Sequence, residues 1–174
     1  MLYTEFRVGN VLAGFEILRV LQEALEFVPE GVKKIRLRSD TAGYQHELLQ
    51  FCVKPRPQFG VIEFAIGCDV TPEFKAAVAE VPEADWNPFY REVDGKLEKT
   101  AREWAEVAYV PAGMGFSKKT TPYRYLATRE ATDQQPLPGV DPQPTLPFPT
   151  MRFNGLRYKV FGIVTNFRQP LIHS

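Results

Sequence analysis

Two predicted strands separated by one short amphipathic helix are the feature that most constrains the fold of this chain. Val32–Ser39 and Val61–Cys68 have the composition of strands, and Tyr44–Val53 presents apolar side chains on one helical face. The connections between these elements are short. A strand, a helix and a second strand joined in this way favour a parallel pair of strands covered by the helix. The sequence therefore predicts an α/β fold.

Two further helices are predicted on either side of this unit. From Leu12 to Phe27, apolar residues recur on one helical face and charged residues on the other. After the second strand, Thr71 is a suitable N-cap, because its hydroxyl can accept a hydrogen bond from a free amide, and Pro72 suits the first helical position. The predicted order of the first half is helix, strand, helix, strand, helix.

The second half of the chain lacks helical periodicity. Four segments in it are predicted strands: Phe89–Val93, Arg102–Val110, Tyr123–Glu130 and Arg157–Asn166. Asp94-Gly95 predicts a tight turn, and a loop at 134–150 contains six prolines and is expected to be extended. We therefore expect two regions, residues 1–86 with a mixed sheet and helices, and residues 87–174 as an antiparallel β-rich insertion.

The formal net charge is zero, but the two halves differ in sign. Residues 1–87 hold nine Lys and Arg against thirteen Asp and Glu, and residues 88–174 hold twelve against eight, so the balances are −4 and +4. No apolar run approaches the ~20 residues of a membrane span, and the N-terminus lacks the pattern of a signal peptide. We expect no membrane partner and a cytoplasmic location, associated with the nucleoid if the chain binds DNA.

The C-terminal segment is basic and rich in aromatic residues. Its cations Arg152, Arg157, Lys159 and Arg168 are interleaved with Phe and Tyr. This composition suits a polyanion, since cations contact phosphates and rings can meet sugars or bases. The same composition is also that of an ordinary strand with core aromatics and solvated cations, and charge alone does not decide between the two.

Carboxylates at strand ends are the best candidates for chemistry. The chain has two histidines and no glycine-rich phosphate loop, which excludes a multi-histidine zinc site and the common nucleotide-binding motifs. Asp40 and Asp69 follow the two predicted parallel strands, so they should lie at the same sheet edge, which is where open α/β folds bind ligands. Their carboxylate oxygens are suitable ligands for Mg²⁺ or Mn²⁺. Each aspartate has an alternative role as a turn or N-cap residue.

Five short motifs follow one another along nearly the whole chain. They are Glu5-x-Arg7-x-Gly9-Asn10, Arg36-x-Arg38-Ser39-Asp40-x-Ala42-Gly43-Tyr44, Phe64-Ala65-Ile66-Gly67, Trp104-Ala105-Glu106-x-x-Tyr109-x-Pro111 and Tyr158-x-x-Phe161-x-x-x-Thr165-Asn166. In order and spacing this series resembles the group-1 DDE transposase domain of bacterial insertion sequences. The resemblance implies an RNase H-like fold with a β-rich insertion, and it aligns Asp40 with the second catalytic aspartate. It also implies Mg²⁺ or Mn²⁺ as cofactor and double-stranded DNA at element ends as partner.

The same resemblance implies that two catalytic carboxylates are missing. In the family, the first aspartate precedes the point where this chain opens, and the glutamate lies on a helix beyond Thr165-Asn166. Residues 1–86 would then be a partial RNase H-like core and the isolated chain would be an inactive fragment, with exposed strand edges that leave a homodimer open.

Two alternatives from other functional classes stay open. One is a non-enzymatic DNA-binding remnant that uses the C-terminal strand together with Arg36 and Arg38, which share a strand face with Lys34. The other is a small α/β metal-dependent phosphoesterase that uses Asp40 and Asp69 as ligands.

Overall fold

The computed structural model describes residues 14–111, 123–132 and 148–168. These residues form one open, mixed sheet of seven strands with three helices, which confirms the predicted α/β class. The helices are α1 Ile17–Glu26, α2 His46–Val53 and α3 Pro72–Ala79. The strands are β1 Ile35–Ser39, β2 Ile62–Cys68, β3 Asn87–Val93, β4 Lys96–Val107, β5 Arg124–Ala131, β6 Thr150–Phe153 and β7 Leu156–Thr165.

The predicted parallel pair is confirmed. β1 and β2 run parallel with Leu37 opposite Phe64, and α2 connects them. Leu48 and Leu49 of α2 are fully buried, because the helix covers the sheet with its apolar face. The predicted cap of α3 is also present, since the Thr71 hydroxyl accepts a hydrogen bond from the Phe74 amide at 3.2 Å.

The strands of the second half belong to the same sheet as β1 and β2. The strand order is β1-β2-β7-β5-β4-β3, and β7 runs antiparallel to β2 with Ala65 opposite Thr165. The Asn166 side chain extends this pairing, because it accepts from the Phe64 amide at 2.8 Å and donates to the Ile62 carbonyl at 2.9 Å. The two regions expected from the sequence are therefore joined by continuous backbone hydrogen bonding.

Two hairpins end in two-residue turns that require positive φ. Asp94 and Gly95, at φ +50° and +75°, join β3 to β4 as predicted. Asn154 and Gly155, at +49° and +81°, join β6 to β7 in the same way. Both are the sequences that type I′ turns favour. β6 was not expected, because it begins at the end of the predicted proline-rich loop, of which 134–147 lie outside the described residues.

The helices that the structure describes all pack on one face of the sheet, the core face. Apolar residues of α2 and α3 form one buried cluster with Phe64, Ile66 and Val164 of the sheet, and the apolar stripe of α1 packs partly against it. Side chains alternate between the two faces along each strand, so the opposite face displays the residues between these positions. We call it the open face. None of the described helices is long and apolar enough to cross a membrane.

A buried arginine of β5 lies on the core face. Arg129 is 2% exposed, and its guanidinium lies 4.2 Å from the centroid of the Trp86 ring, with the rings of Phe153 and Tyr158 at 5.2 and 5.0 Å. Its Nε donates to Glu103 at 2.8 Å, and its terminal nitrogens donate to Glu83. The guanidinium fork matches both carboxylates while its faces pack on rings. We call this group the Arg129 cluster.

The Arg129 cluster gives the folded chain a predictable response to acid. The hydrogen bond from Arg129 holds the pKa of the Glu83 carboxyl below its ordinary value of 4.5. Between the folded and the unfolded pKa of Glu83, the unfolded chain therefore binds more protons than the folded chain. The contribution of the Glu83–Arg129 pair to stability is complete above about pH 4.5 and is lost as the pH falls through the folded pKa. We expect the stability difference between wild type and Glu83→Gln, measured by urea denaturation, to shrink between about pH 6 and about pH 3. A difference independent of pH would contradict this.

Candidate nucleic-acid interface and carboxylate edge

Asp40 and Asp69 lie where the sequence placed them, beyond the carboxyl ends of adjacent parallel strands. Ser39 pairs with Ile66, so Asp40 is level with Gly67, and Asp69 follows the last residue of β2. An added Cβ at Gly67 would lie 3.1 Å from the Thr41 nitrogen and 3.3 Å from the Asp40 carbonyl carbon. The glycine thus allows the turn after β1 to cross closely over β2. Both aspartates are exposed at this edge, which we call the carboxylate edge.

The Asp40 carboxylate already has a local structural role. Its Oδ1 accepts a hydrogen bond from the Ala42 amide at 3.0 Å and caps the short 3-10 turn Thr41–Gly43. Among the described residues, no three His, Cys, Asp or Glu side chains come together in a way that could hold a metal ion. Two dications about 4 Å apart need several carboxylates to offset their repulsion. The described residues therefore do not form the two-metal site that the family resemblance implies.

Most of the cations predicted to contact DNA lie on the open face. Arg36 and Arg38 alternate with the core residues of β1, and Arg157 and Lys159 alternate with the core residues of β7. Arg152 of β6 pairs directly with Arg157 and shares its face. Arg168, by contrast, follows the far end of β7 and is separated from the other C-terminal cations by the length of that strand.

The open face carries an excess of positive charge. The register of β1, β2, β5, β6, β7 and the part of β4 that pairs with β5 assigns to it eight cations and three carboxylates, a balance of +5. The cations are Lys34, Arg36, Arg38, Arg102, Arg124, Arg152, Arg157 and Lys159, and the carboxylates are Glu63, Glu106 and Glu130. Lys34 lies just before β1, and its ion pair with Glu63 places it on this face. The neutral total charge of the chain therefore conceals one basic surface.

Each of the three carboxylates is engaged by the cations beside it. Glu63 accepts from Arg36 Nε at 3.0 Å and lies 3.1 Å from Lys34 Nζ. Burial pushes the pKa of the Glu63 carboxyl upwards, but the hydrogen bonds from Arg36 and Lys34 outweigh it and hold the pKa below its ordinary range. Glu106 pairs with Arg124 at 2.7 Å and Glu130 with Arg102 at 3.1 Å.

Arg38, Arg152, Arg157 and Lys159 have no carboxylate partner among the described residues. Three of them belong to the β6–β7 hairpin, and the fourth directly precedes the carboxylate edge. Lys159 lies 4.3 Å from the centroid of the Phe148 ring. The uncompensated charge of the open face is therefore concentrated in the hairpin and beside Asp40.

The β6–β7 hairpin projects past the carboxylate edge. β2 pairs with Gly162–Thr165 of β7, whereas β6 pairs with the earlier residues Leu156–Lys159 along the same edge of β7. β6 therefore continues the line of β2 beyond Cys68. With a rise of ~3.4 Å per residue, Lys159 lies ~10 Å and Arg157 ~17 Å past the end of β2.

The pairing of the open-face cations was missed from the sequence, although a signal was present. Glu63 is the one acidic residue in the apolar segment Val61–Cys68, and a lone charge there indicates a partner on a neighbouring strand. Arg129 was missed in the same way. It follows Tyr125 and Ala127 at intervals of two residues, so it shares their face of the strand. Its guanidinium therefore lies on the core face, where a charge must be paired.

The buried thiols and phenols are not part of this interface. Cys52 and Cys68 are free and buried, and burial raises the pKa of their thiols to about 11 and about 12. Such thiols are poor nucleophiles near neutral pH. The hydroxyls of Tyr44 and Tyr125 lie 3.2 Å apart within the core, and burial raises the pKa of Tyr44 to about 12.

Comparisons with protein-family models, with curated proteins and with solved structures found no match for this chain. A family assignment is therefore a proposal that depends on the motifs and on the geometry described above.

Proposed function

We propose that this chain is a DNA-binding portion of a DDE transposase, and that alone it binds double-stranded DNA without cutting it. The observation that carries the proposal is the open face, on which the strand register gathers a charge balance of +5 beside the carboxylate edge. A basic sheet face of this kind suits the regularly spaced phosphates of a duplex. Arg38, which directly precedes Ser39 and Asp40, would contact the backbone next to the carboxylate.

The shape of the sheet at β1 supports a place within a larger assembly. Among the described strands, β1 pairs only with β2, so its other edge is open. α1, which packs against α2, has no fully buried residue, although its apolar stripe is continuous. Phe15 and Phe27 at its two ends are 53% and 58% exposed. Incomplete burial on this side favours further strands and apolar contacts in the complete protein. A homodimer through this edge stays a prediction.

Asp40 has a defined role in this proposal. Carboxylates supplied from elsewhere in the assembly would complete the metal site, and Asp40 would contribute one ligand to it. The hydrogen bond from Ala42 fixes the orientation of its Oδ1 and leaves Oδ2 without a partner among the described residues. The residues that the structure describes bring together too few ligands for that chemistry.

The experiment is duplex binding and cleavage measured on the same samples. We expect wild type to bind a mixed-sequence duplex with an affinity that falls steeply with KCl, since counterion release drives the association. Asp40→Asn should bind equally well, because the amide oxygen can still accept from Ala42. Neither protein should nick the duplex with Mg²⁺ or Mn²⁺.

Two results would count against the proposal in different ways. No binding at low salt would remove the DNA-binding role. Nicking that is lost in Asp40→Asn would show that the chain is active alone. The family assignment has its own test in the flanking nucleotide sequence, which should encode an aspartate-bearing strand upstream and a glutamate-bearing helix downstream. Flanks without these elements would contradict the assignment.

A further inference from the structure

The β6–β7 hairpin places two arginines directly opposite each other. Arg152 and Arg157 are a cross-strand pair on the open face, and both are exposed. Lys159 occupies the next open-face position of β7, opposite Thr150. Like charges at directly opposed positions of a sheet are destabilising. The three cations therefore repel each other, and an anion bound between them would reduce this repulsion.

Two cations at the β1 end of the open face are in a different electrostatic state. Lys34 and Arg36 share the carboxylate of Glu63, and Arg36 also lies 5.6 Å from the centroid of the Phe167 ring. A phosphate that approaches Arg36 must compete with this carboxylate. Among the described residues, Arg152 and Arg157 have no carboxylate partner, and Glu130, which is opposite Lys159 in the register, pairs with Arg102 instead. The two ends of the open face thus differ, because Lys34 and Arg36 are both paired with Glu63.

From this difference we propose that Arg152, Arg157 and Lys159 form the principal phosphate-binding site of the chain, and that the ion pairs with Glu63 limit the contacts of Lys34 and Arg36 with phosphate. The inference deepens the proposed function and depends on it, because the ligand is the DNA backbone. Arginine suits this role, since its planar fork can donate two parallel hydrogen bonds to one phosphate. Lys159 adds a third positive charge two residues from Arg157 on the same strand face.

The position of the hairpin makes this site useful to the carboxylate edge. Its cations lie ~10 to ~17 Å beyond the end of β2 along the strand direction. A duplex held there can extend across the ends of β1 and β2, where Asp40 lies. The hairpin would thus fix the duplex on the protein while Arg38 contacts the backbone beside the carboxylate.

The test compares salt dependence of duplex binding among matched variants. Fluorescence anisotropy with a duplex of about 30 base pairs gives the slope of log affinity against log KCl concentration. Arg152→Gln with Arg157→Gln should reduce the magnitude of this slope by about 2, whereas Arg36→Gln should reduce it by less than about 0.5. The double variant should keep or slightly raise the thermal midpoint of unfolding, since it removes a like-charge pair.

Glu63→Gln tests whether this carboxylate limits the contacts of Lys34 and Arg36 with phosphate. It should release Lys34 and Arg36 and steepen the slope by about 1, whereas Glu80→Gln, which removes an exposed carboxylate from the helix-bearing side, should leave the slope nearly unchanged. Equal losses per substituted arginine in the hairpin and Arg36 variants, or equal gains in the two glutamate variants, would overturn the inference while leaving DNA binding intact. Absence of duplex binding by wild type would instead overturn the proposed function.

Discussion

Arg129→Ala should lower the free energy of unfolding by about 3 kcal/mol, as for other large-to-small changes at buried sites. The side chain is 2% exposed and its guanidinium packs on Trp86, Phe153 and Tyr158, so truncation leaves a cavity among three rings. Most of the cost should come from this lost packing rather than from stranded charge. Glu83 and Glu103 are 59% and 33% exposed and can be hydrated when the arginine is gone.

Urea denaturation of three variants separates these contributions. Arg129→Met fills much of the volume and should lose less than Arg129→Ala. Arg157→Ala removes an exposed arginine from an adjacent strand and should stay within about 0.5 kcal/mol of wild type. If Arg129→Ala lost no more than Arg157→Ala, the cluster would not stabilise the fold.

Gly162→Ala should destabilise the chain by about 2 kcal/mol, because it overpacks a close approach between β7, β2 and α3. A Cβ at this position would lie 2.6 Å from Cys68 Sγ, 3.1 Å from Phe74 Cζ and 3.2 Å from the Cys68 carbonyl oxygen. These atoms belong to two different elements, so no single side-chain rotation relieves the overlap. The measurement is the urea-induced unfolding transition of wild type and variant.

A double-mutant cycle provides the control for this position. Cys68→Ala removes the nearest atom, so the double variant Gly162→Ala with Cys68→Ala should lose less stability than the sum of the single variants by about 1 kcal/mol. Strict additivity would show that the cysteine does not restrict this site. A single variant as stable as wild type would show that β7 can move away from the core.

The elements that the sequence predicted well are those whose signal is local. Thr71-Pro72 predicted the start of α3, and Asp94-Gly95 predicted a hairpin turn, because each depends on residues within one turn of chain. The pairing of β2 with β7 joins residues about a hundred positions apart, and periodicity carries no information on such partners. The second half could therefore be described as strands but not placed in the sheet of the first half.

The candidate site was predicted by residue type more than by environment. Strand alternation placed Arg36 and Arg38 on one face, and Asp40 follows the strand β1 as predicted. The sequence did not show that Glu63 pairs with Lys34 and Arg36, whereas Arg152 and Arg157 have no carboxylate partner among the described residues. That distinction arises from which strands are neighbours, and so it required the register. Arg168 was grouped with the hairpin cations by proximity in sequence alone, and the length of β7 separates them.

One edge of β7 is divided between two strands that do not pair with each other. β2 uses one half of its edge and β6 uses the other, and β5 lies along the opposite side. The hydrogen bonds that hold β6 can therefore open without breaking those that hold β2. Local opening of this kind, at less than the global free energy of unfolding, would separate Arg152 from Arg157 while the helical layer stays folded.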